Sequence, residues 1–165
     1  MRAWLAFFPV MAATILAAAG LELGRSQEVL AQEPEAGDFA YHETPPTRPL
    51  PKTRRPPSFR RNPPGHVAYC LARRIPGLLY QEPCFCHCNR FANHKSLLDC
   101  YVEDHGMACY TCQAEVIFCY EQSLRGRNAV EIREELYQDE WKKLSLEDYV
   151  HSFPKQKCRA AGKRE

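Results

Sequence analysis

The chain has 165 residues, nine cysteines and a formal net charge of +2, with 22 basic and 20 acidic side chains. It contains no glycine-rich phosphate loop, no nucleophile elbow and no pair of carboxylates at a recognisable spacing, so nothing indicates the common nucleotide-binding or hydrolytic sites. The basic residues are not interleaved with aromatic side chains, and nothing indicates nucleic-acid binding.

Residues 1–31 are predicted to be a signal peptide or an N-terminal membrane anchor. A nearly unbroken apolar run extends from Ala3 to Leu23 and includes small residues of the kind that a signal peptidase accepts. The run is also about as long as the shortest transmembrane helices, which leaves an uncleaved anchor open. In either case we expect the rest of the chain to be exported, to a periplasmic or other extracytoplasmic location. A lipoprotein is not expected, since no cysteine follows the run until Cys70.

Residues 32–65 are predicted to form a disordered linker. The segment is rich in proline and arginine and has almost no large apolar side chains, so it cannot bury enough apolar surface to fold and should be extended. We expect a spacer that holds the following domain away from a membrane. The alternative role is attraction of its basic side chains to anionic headgroups or polymers.

Residues 66–150 are predicted to form one small, Cys/His-rich, all-α domain, followed by a basic tail over residues 151–165. A core of this size is often insufficient without disulfides, a metal or a partner. Short helices are expected over residues 66–74 and after Ser96, which with Asp99 gives a capping-box-like pattern. No alternating strand pattern is present.

The longest helix is expected over residues 107–122, with Cys109 and Cys112 in its first turn, and should end at residues 125–127. A second capping signature at Asn128 predicts another helix to about residue 143. Its buried stripe should contain Val130, Leu136, Tyr137, Trp141 and Leu144. Ser145 with Asp148 should cap one more turn.

Cysteine and histidine are concentrated between residues 84 and 112. Three cysteines separated by single residues form a predicted irregular Cys-x-Cys-x-Cys loop, and a Cys-x-x-Cys pair begins the long helix. Thiolate and imidazole bind zinc and copper(I): four such side chains would complete a tetrahedral zinc site, and six thiols could hold a copper(I) cluster. The predicted metal ligands are Cys84, Cys86, Cys88, Cys100, Cys109, Cys112, His94 and His105, of which Cys84, Cys86, Cys109 and Cys112 are the first choice. His87 is a further candidate.

Disulfide bonding is the first alternative for these cysteines, because small exported domains commonly depend on it. Single-residue spacing makes it awkward to direct three cysteines to three partners, and the histidines would have no role in a disulfide scaffold. Thiol redox chemistry at Cys109 and Cys112 is a further alternative, although no βαβ pattern surrounds the pair. A c-type haem signature requires histidine directly after the Cys-x-x-Cys pair. Gln113 occupies that position, so haem attachment is not expected.

The remaining cysteines and nearby charged residues have simpler interpretations. Cys119 lies on the apolar stripe of the long helix, seven positions after Cys112, and should be a core residue. Cys70 should be in the core or paired with Cys119 or Cys158. Lys95 and Glu115 are expected to be solvated or in surface ion pairs.

The segment that runs from Ile75 to Glu115 resembles the bacterial PCYCGC-motif family of exported proteins and lipoproteins, whose function is not established. The resemblance rests on Pro83-Cys84-Phe85-Cys86-His87-Cys88, His94-Lys95-Ser96-Leu97, Cys100, His105-Gly106 and Cys109-x-x-Cys112. It implies a bacterial, extracytoplasmic protein and no particular reaction. This chain has Phe85 where the motif has tyrosine and His87 where it has glycine, which puts in doubt a requirement for positive φ at that position.

These observations predict a non-enzymatic, extracytoplasmic domain that binds zinc or copper(I) in a structural, storage or metal-handling role. The metal ion is the expected partner, a membrane tether is the second, and the sequence indicates no protein partner. A disulfide-stapled interaction module is the alternative, and a thiol–disulfide oxidoreductase is the third hypothesis.

Overall fold

The computed structural model describes residues 39–154 and residue 158. Over these residues the chain forms seven α-helices, two 3₁₀ helices and no β-strand, so the predicted all-α fold is confirmed. The α-helices are α1 (Pro63–Ala72), α2 (Pro76–Leu79), α3 (Cys88–Phe91), α4 (Asp99–Val102), α5 (Tyr110–Leu124), α6 (Ala129–Tyr137) and α7 (Leu146–Ser152), and the 3₁₀ helices are His105–Met107 and Glu140–Lys143. The predicted signal or anchor over residues 1–31, the start of the predicted linker and most of the basic tail lie outside the described residues.

None of the helices in residues 39–154 is long and apolar enough to cross a membrane.

Residues 39–62 contain no helix but lie against the helical domain, which differs from the expected disordered linker. The ring of Phe39 is 4.4 Å from that of Phe85, and His42 stacks on Tyr80 at 3.8 Å. The backbone N–H of Arg54 donates to a carbonyl oxygen in α4 over 2.8 Å. The few aromatic side chains of this proline-rich segment therefore supply contacts that its composition does not suggest.

Helix α1 begins at Pro63, three residues before the predicted start. Asn62 caps it, because its side-chain oxygen accepts a hydrogen bond from the N–H of Gly65 over 2.9 Å. Pro63 and Pro64 occupy the first helical positions, where an N–H would have no helical partner. Residues 67–72 are buried, so this helix forms one wall of the core.

Helix α5 packs against α1 and is the central helix of the domain. Its observed span, Tyr110–Leu124, agrees closely with the predicted helix, and Gly126 beyond its end has φ 81°. Most of its residues are buried, including Cys119, which confirms the expected core position of that cysteine. The helix starts where the candidate metal ligands are found.

The capping pattern at Asn128 is confirmed as a full capping box with Glu131. Helix α6 nevertheless ends at Tyr137, and Asp139 with φ 60° separates it from the following 3₁₀ helix. The predicted burial of Val130 is wrong, since 55% of that residue is exposed. Because the helix stops early, Trp141 reaches the core from the 3₁₀ helix.

Ser145 caps α7 as predicted, with its hydroxyl accepting from the N–H of Asp148. The corresponding prediction for Ser96 is wrong, because α4 begins only at Asp99 and has no side-chain cap. Ser96 is buried, and the Asp99 carboxylate instead accepts from the backbone N–H of Lys95 over 2.6 Å.

Candidate metal centre

The Cys-x-Cys-x-Cys loop connects α2 to α3 and is held by contacts to distant parts of the chain. The backbone N–H of Phe85 donates to the Glu115 carboxyl oxygen in α5 over 2.8 Å. The Phe85 ring packs edge-on against Tyr137 at 5.2 Å. The N–H of Leu97 donates to the carbonyl oxygen of Glu82 over 2.8 Å. The start of the loop is thus joined to α5 and to the segment before α4, which carries the next candidate ligands.

The chain reverses within the loop at His87, which has φ 59° and ψ 26°. This left-handed conformation is disfavoured for residues with a Cβ. The position therefore adopts a positive φ, although histidine occupies it. The turn lets Cys86 and Cys88, on either side of it, face different groups of ligands.

Four side chains form the first group of donors, which we call the outer group: Cys86, His105, Cys109 and Cys112. Their ligand atoms all lie within 4.8 Å of one another. Cys86 Sγ is 3.3 Å from His105 Nε2 and 3.7 Å from Cys112 Sγ. In a tetrahedral site with metal–ligand bonds of about 2.0–2.3 Å, neighbouring donors are about 3.3–3.8 Å apart. These two distances within the outer group match those of such a site.

Helix α5 and the 3₁₀ helix before it position this group. Cys109 is the N-cap of α5, and its sulfur accepts from the N–H of Cys112 over 3.5 Å. The side-chain amide of Gln113 donates to the carbonyl oxygens of Gly106 and Met107 over 2.9 Å each. The 3₁₀ helix that carries His105 is thereby fixed to the first turn of α5.

Cys84, Cys88 and Cys100 form the second group of donors, whose sulfurs also lie within 4.8 Å of one another. The Sγ atoms of Cys88 and Cys100 are 3.5 Å apart. His94 adjoins this group, since its Nδ1 is 3.3 Å from Cys100 Sγ. Its other ring nitrogen, Nε2, is 3.4 Å from a carboxylate oxygen of Glu103.

The two groups are in direct contact with each other. Cys84 Sγ lies 3.3 Å from Cys86 Sγ and 3.4 Å from Cys112 Sγ, both of which belong to the outer group. All eight predicted ligands therefore occupy one continuous cluster. The outer group differs in one member from the first-choice ligand set predicted from the sequence. It contains His105 in place of Cys84.

Hydrogen bonds among the thiols shift their pKa values in opposite directions. Bonds from neighbouring thiols, Cys100 first and Cys84 second, lower the pKa of Cys88 to about 7. Such bonds, again from Cys100 first, also lower the pKa of Cys86 below its usual value. Hydrogen bonding with Cys100 raises the pKa of Cys112. These shifts favour the thiolate at Cys86 and Cys88 and the thiol at Cys112, and a bound cation would favour ionisation of all three.

Two carboxyl groups are buried beside the cluster, which sequence reasoning missed. Both Glu82 and Glu115 are fully buried, so the expected surface position of Glu115 is wrong. Burial raises the pKa of Glu82 from 4.5 to about 9 and raises that of Glu115 well above its usual value. Glu115 lies three residues after Cys112, so the two side chains share one face of α5. This spacing is the signal in the sequence that could have placed Glu115 beside the cluster.

The cysteines outside the cluster have separate roles. Cys70 in α1 forms a disulfide with Cys158, one of the pairings that the sequence left open. These two sulfurs lie within 4.8 Å of a His66 ring nitrogen. Burial raises the pKa of the Cys119 thiol, which keeps it protonated. The donors available to a metal are therefore concentrated in the two groups between residues 84 and 112.

No protein-family model, no curated protein and no solved structure matches this chain.

Proposed function

We propose that this protein is an extracytoplasmic metal-binding protein whose helical domain holds zinc or copper(I) for a structural, storage or metal-handling role. The observation that carries the proposal is the convergence of Cys86, His105, Cys109 and Cys112 to within 4.8 Å of one another. Three thiolates and one imidazole are a common ligand set for tetrahedral zinc. The sequence contributes no recognised catalytic motif, so we propose binding rather than catalysis.

The pattern of sulfur contacts favours metal binding over disulfide pairing. A disulfide joins one sulfur to one partner, at about 2.05 Å. Cys112 Sγ instead lies at similar distances from two sulfurs, 3.4 Å from Cys84 and 3.7 Å from Cys86. A sulfur at similar distances from two others is compatible with shared binding of one ion, and this supports the proposal.

The disulfide-stapled interaction module is the second candidate, and the Cys70–Cys158 disulfide favours it. This bond is compatible with an oxidising compartment, in which further cysteines could pair. A thiol oxidoreductase ranks third. Cys109 caps a helix and Cys112 lies in its first turn, where the helix dipole favours a thiolate, but hydrogen bonding with Cys100 raises the pKa of Cys112 and opposes this effect.

The export of the protein and its relation to the PCYCGC-motif family remain part of the proposal. Both rest on the sequence: the apolar run from Ala3 to Leu23 and the ordered set of cysteines and histidines. Export and the disulfide are consistent with each other, since disulfides persist mainly outside the cytoplasm. The two candidate metals are chosen from ligand chemistry: mixed thiolate and imidazole sets suit zinc, and thiolate-rich sets also suit copper(I).

The test is the metal content of the full-length protein, purified anaerobically without a metal-affinity tag. We expect about one or two zinc or copper ions per chain. The double variant Cys109→Ser/Cys112→Ser should lose bound metal and melt at a lower temperature, because metal binding and folding are coupled. Cys119→Ala is the matched control, since it removes a buried thiol outside both donor groups.

An unchanged metal content and melting temperature in the double variant would contradict the proposal. Protein without metal, with an intact mass that shows three or four disulfides, would support the disulfide-stapled module instead. A pair of thiols that oxidises reversibly near the potential of the compartment, in protein without metal, would support the oxidoreductase.

A further inference from the structure

Seven of the eight donors of the cluster fall into two compact groups, and the eighth, His94, adjoins the second group. The outer group contains three cysteines and His105. The second group contains three cysteines, and His94 adjoins it through the 3.3 Å contact between Nδ1 and Cys100 Sγ. Each set thus offers three sulfurs and one imidazole nitrogen, which is the number of ligands that one tetrahedral ion takes. One site would leave half of these donors unused.

His94 has the surroundings of a metal ligand. Histidines that bind metals commonly use one ring nitrogen for the ion and donate the other N–H to a carboxylate or carbonyl oxygen. His94 Nδ1 faces Cys100 Sγ, and Nε2 lies 3.4 Å from Glu103 Oε2. The residue is 3% exposed, so its ring is held in this orientation inside the protein.

The two sets differ in their access to solvent. The second set is almost completely buried, with exposed fractions of 4% for Cys84, 1% for Cys88 and 0% for Cys100. In the outer group, Cys86, His105 and Cys109 are only partly buried. The ring of Phe91 lies 5.6 Å from that of His105 and is itself 68% exposed. A chelator or an acceptor protein can therefore approach the outer ligands but not the inner ones.

We propose that the cluster holds two metal ions in adjacent Cys₃His sites, a buried inner site (Cys84, Cys88, Cys100 and His94) that is structural and an outer site (Cys86, Cys109, Cys112 and His105) that exchanges its ion. This inference rests on the proposed metal-binding function. The inner ion fixes the loop against α4, and the outer ion is the one available for transfer. Metal handling then takes place at the first turn of α5.

Charge favours divalent ions in this arrangement. Six thiolates carry six negative charges, and the imidazoles are neutral when they bind metal. Two zinc ions would reduce the total to two negative charges, whereas two copper(I) ions would leave four. A buried net charge is costly, so we expect zinc in the inner site.

The experiment is native mass spectrometry of the full-length protein loaded with zinc, followed by release of zinc to an excess of a coloured chelator. We expect two zinc ions per chain and two release phases of equal amplitude, whose rates differ by at least about tenfold because ligands must be exposed before a chelator can displace them. The variant Cys109→Ser should bind one ion and lose the fast phase. The variant Cys88→Ser should bind one ion and lose the slow phase.

Cys88→Ser alters a buried residue and can prevent folding, so a surface variant provides a second test. Phe91→Ala removes an exposed ring beside His105 and changes no ligand. We expect it to increase the rate of the fast phase and to leave the slow phase and the stoichiometry unchanged. An equal effect on both phases would overturn the division between the sites.

The possible outcomes separate this inference from the function on which it rests. One zinc per chain, or two released in a single phase, would overturn the two-site inference and leave metal binding intact. Three or more ions per chain would also overturn it, in favour of a larger thiolate cluster. Protein that takes up no zinc and no copper(I) would overturn both proposals.

Discussion

His87 shows how a single backbone angle shapes the cysteine-rich loop. It adopts φ 59°, and its ring lies 4.6 Å from that of Phe39. The resemblance to the PCYCGC motif places glycine here, and the substitution to histidine cast doubt on any need for a left-handed turn. The structure retains that turn, so the conformation is set by the surrounding ligands and not by the residue at its centre.

We predict that His87→Gly is more stable than His87→Ala by about 1 kcal/mol, because glycine adopts a positive φ without the steric penalty of a Cβ. Urea denaturation of the two variants measures this difference, and both lack the contact of the ring with Phe39. The control pair is His151→Gly and His151→Ala at an exposed position in α7, where alanine should be the more stable by a similar amount. An alanine preference at position 87 would contradict the prediction.

Glu82 is a second residue whose own environment affects the stability of the fold. It is fully buried, and neither carboxyl oxygen has a hydrogen-bond partner among the described residues. We predict that Glu82→Met stabilises the domain by about 1–3 kcal/mol, since methionine has a similar shape and leaves no polar atom unsatisfied. Urea denaturation below pH 4.5, where the carboxyl is protonated in the folded and the unfolded protein, measures this contribution. Glu134→Met, at an exposed position in α6, is the control and should have little effect.

The gain from Glu82→Met should depend on pH with a definite sign. Burial raises the pKa of the Glu82 carboxyl from 4.5 to about 9 in the folded protein. Below pH 4.5 the carboxyl is protonated in both folded and unfolded protein, so its titration contributes nothing. As the pH rises towards 9, only the unfolded protein releases the proton, which progressively destabilises the wild-type fold. A gain that stays constant across this range would contradict the assigned pKa shift.

At the scale of elements, the sequence predicts helix ends best where the cap is formed by residues close together in the sequence. Asn128 with Glu131 and Ser145 with Asp148 form the caps that their spacing suggests. Ser96 has the same spacing to Asp99, but its hydroxyl is buried in the fold and makes no cap. A local pattern therefore predicts a cap only where tertiary packing leaves the side chain free to form it.

The candidate site was predictable in its membership and not in its arrangement. Residue chemistry alone indicates all eight donors, because few other roles bring cysteine and histidine together. Their division into groups depends on contacts between distant residues, such as the bond from Leu97 N–H to the Glu82 carbonyl oxygen. The contacts of residues 39–62 likewise depend on surfaces that exist only in the folded domain.

Cys109 caps α5 and is also a proposed metal ligand, and the two roles can be separated. Its sulfur caps the helix through the N–H of Cys112 and also belongs to the outer group. Serine is among the best capping residues and is a poor zinc ligand, whereas alanine serves neither role.

We predict that, in the presence of a chelator, Cys109→Ser is at least as stable as the wild type and about 1 kcal/mol more stable than Cys109→Ala. With zinc added, both variants should be less stable than the wild type, because the outer site has lost a ligand. Urea denaturation under the two conditions measures both effects. If serine and alanine were equally destabilising with the chelator present, the capping role of Cys109 would be excluded.

At the scale of the whole molecule, a disulfide and the proposed metal centre supplement a small hydrophobic core. The candidate metal ligands bring together the loop, α3, α4 and the start of α5, all between residues 84 and 112. The Cys70–Cys158 disulfide joins α1 to the end of the chain, across a separation of 88 residues. Because the disulfide shares no cysteine with the two sites, its contribution to stability should be independent of the metal.

We predict that the double variant Cys70→Ala/Cys158→Ala loses about 2–4 kcal/mol of unfolding free energy, because the disulfide restricts a long loop in the unfolded chain. Its zinc content should equal that of the wild type, since neither residue belongs to the outer or the inner site. Urea denaturation of zinc-loaded protein and metal analysis of the same samples measure the two quantities. A fall in bound zinc would show that Cys70 and Cys158 support the metal centre, and an unchanged stability would exclude the disulfide as a cross-link in the folded protein. With Cys119→Ala as the single-cysteine control, a loss confined to stability would identify the disulfide and the metal centre as separate means of holding one small domain together.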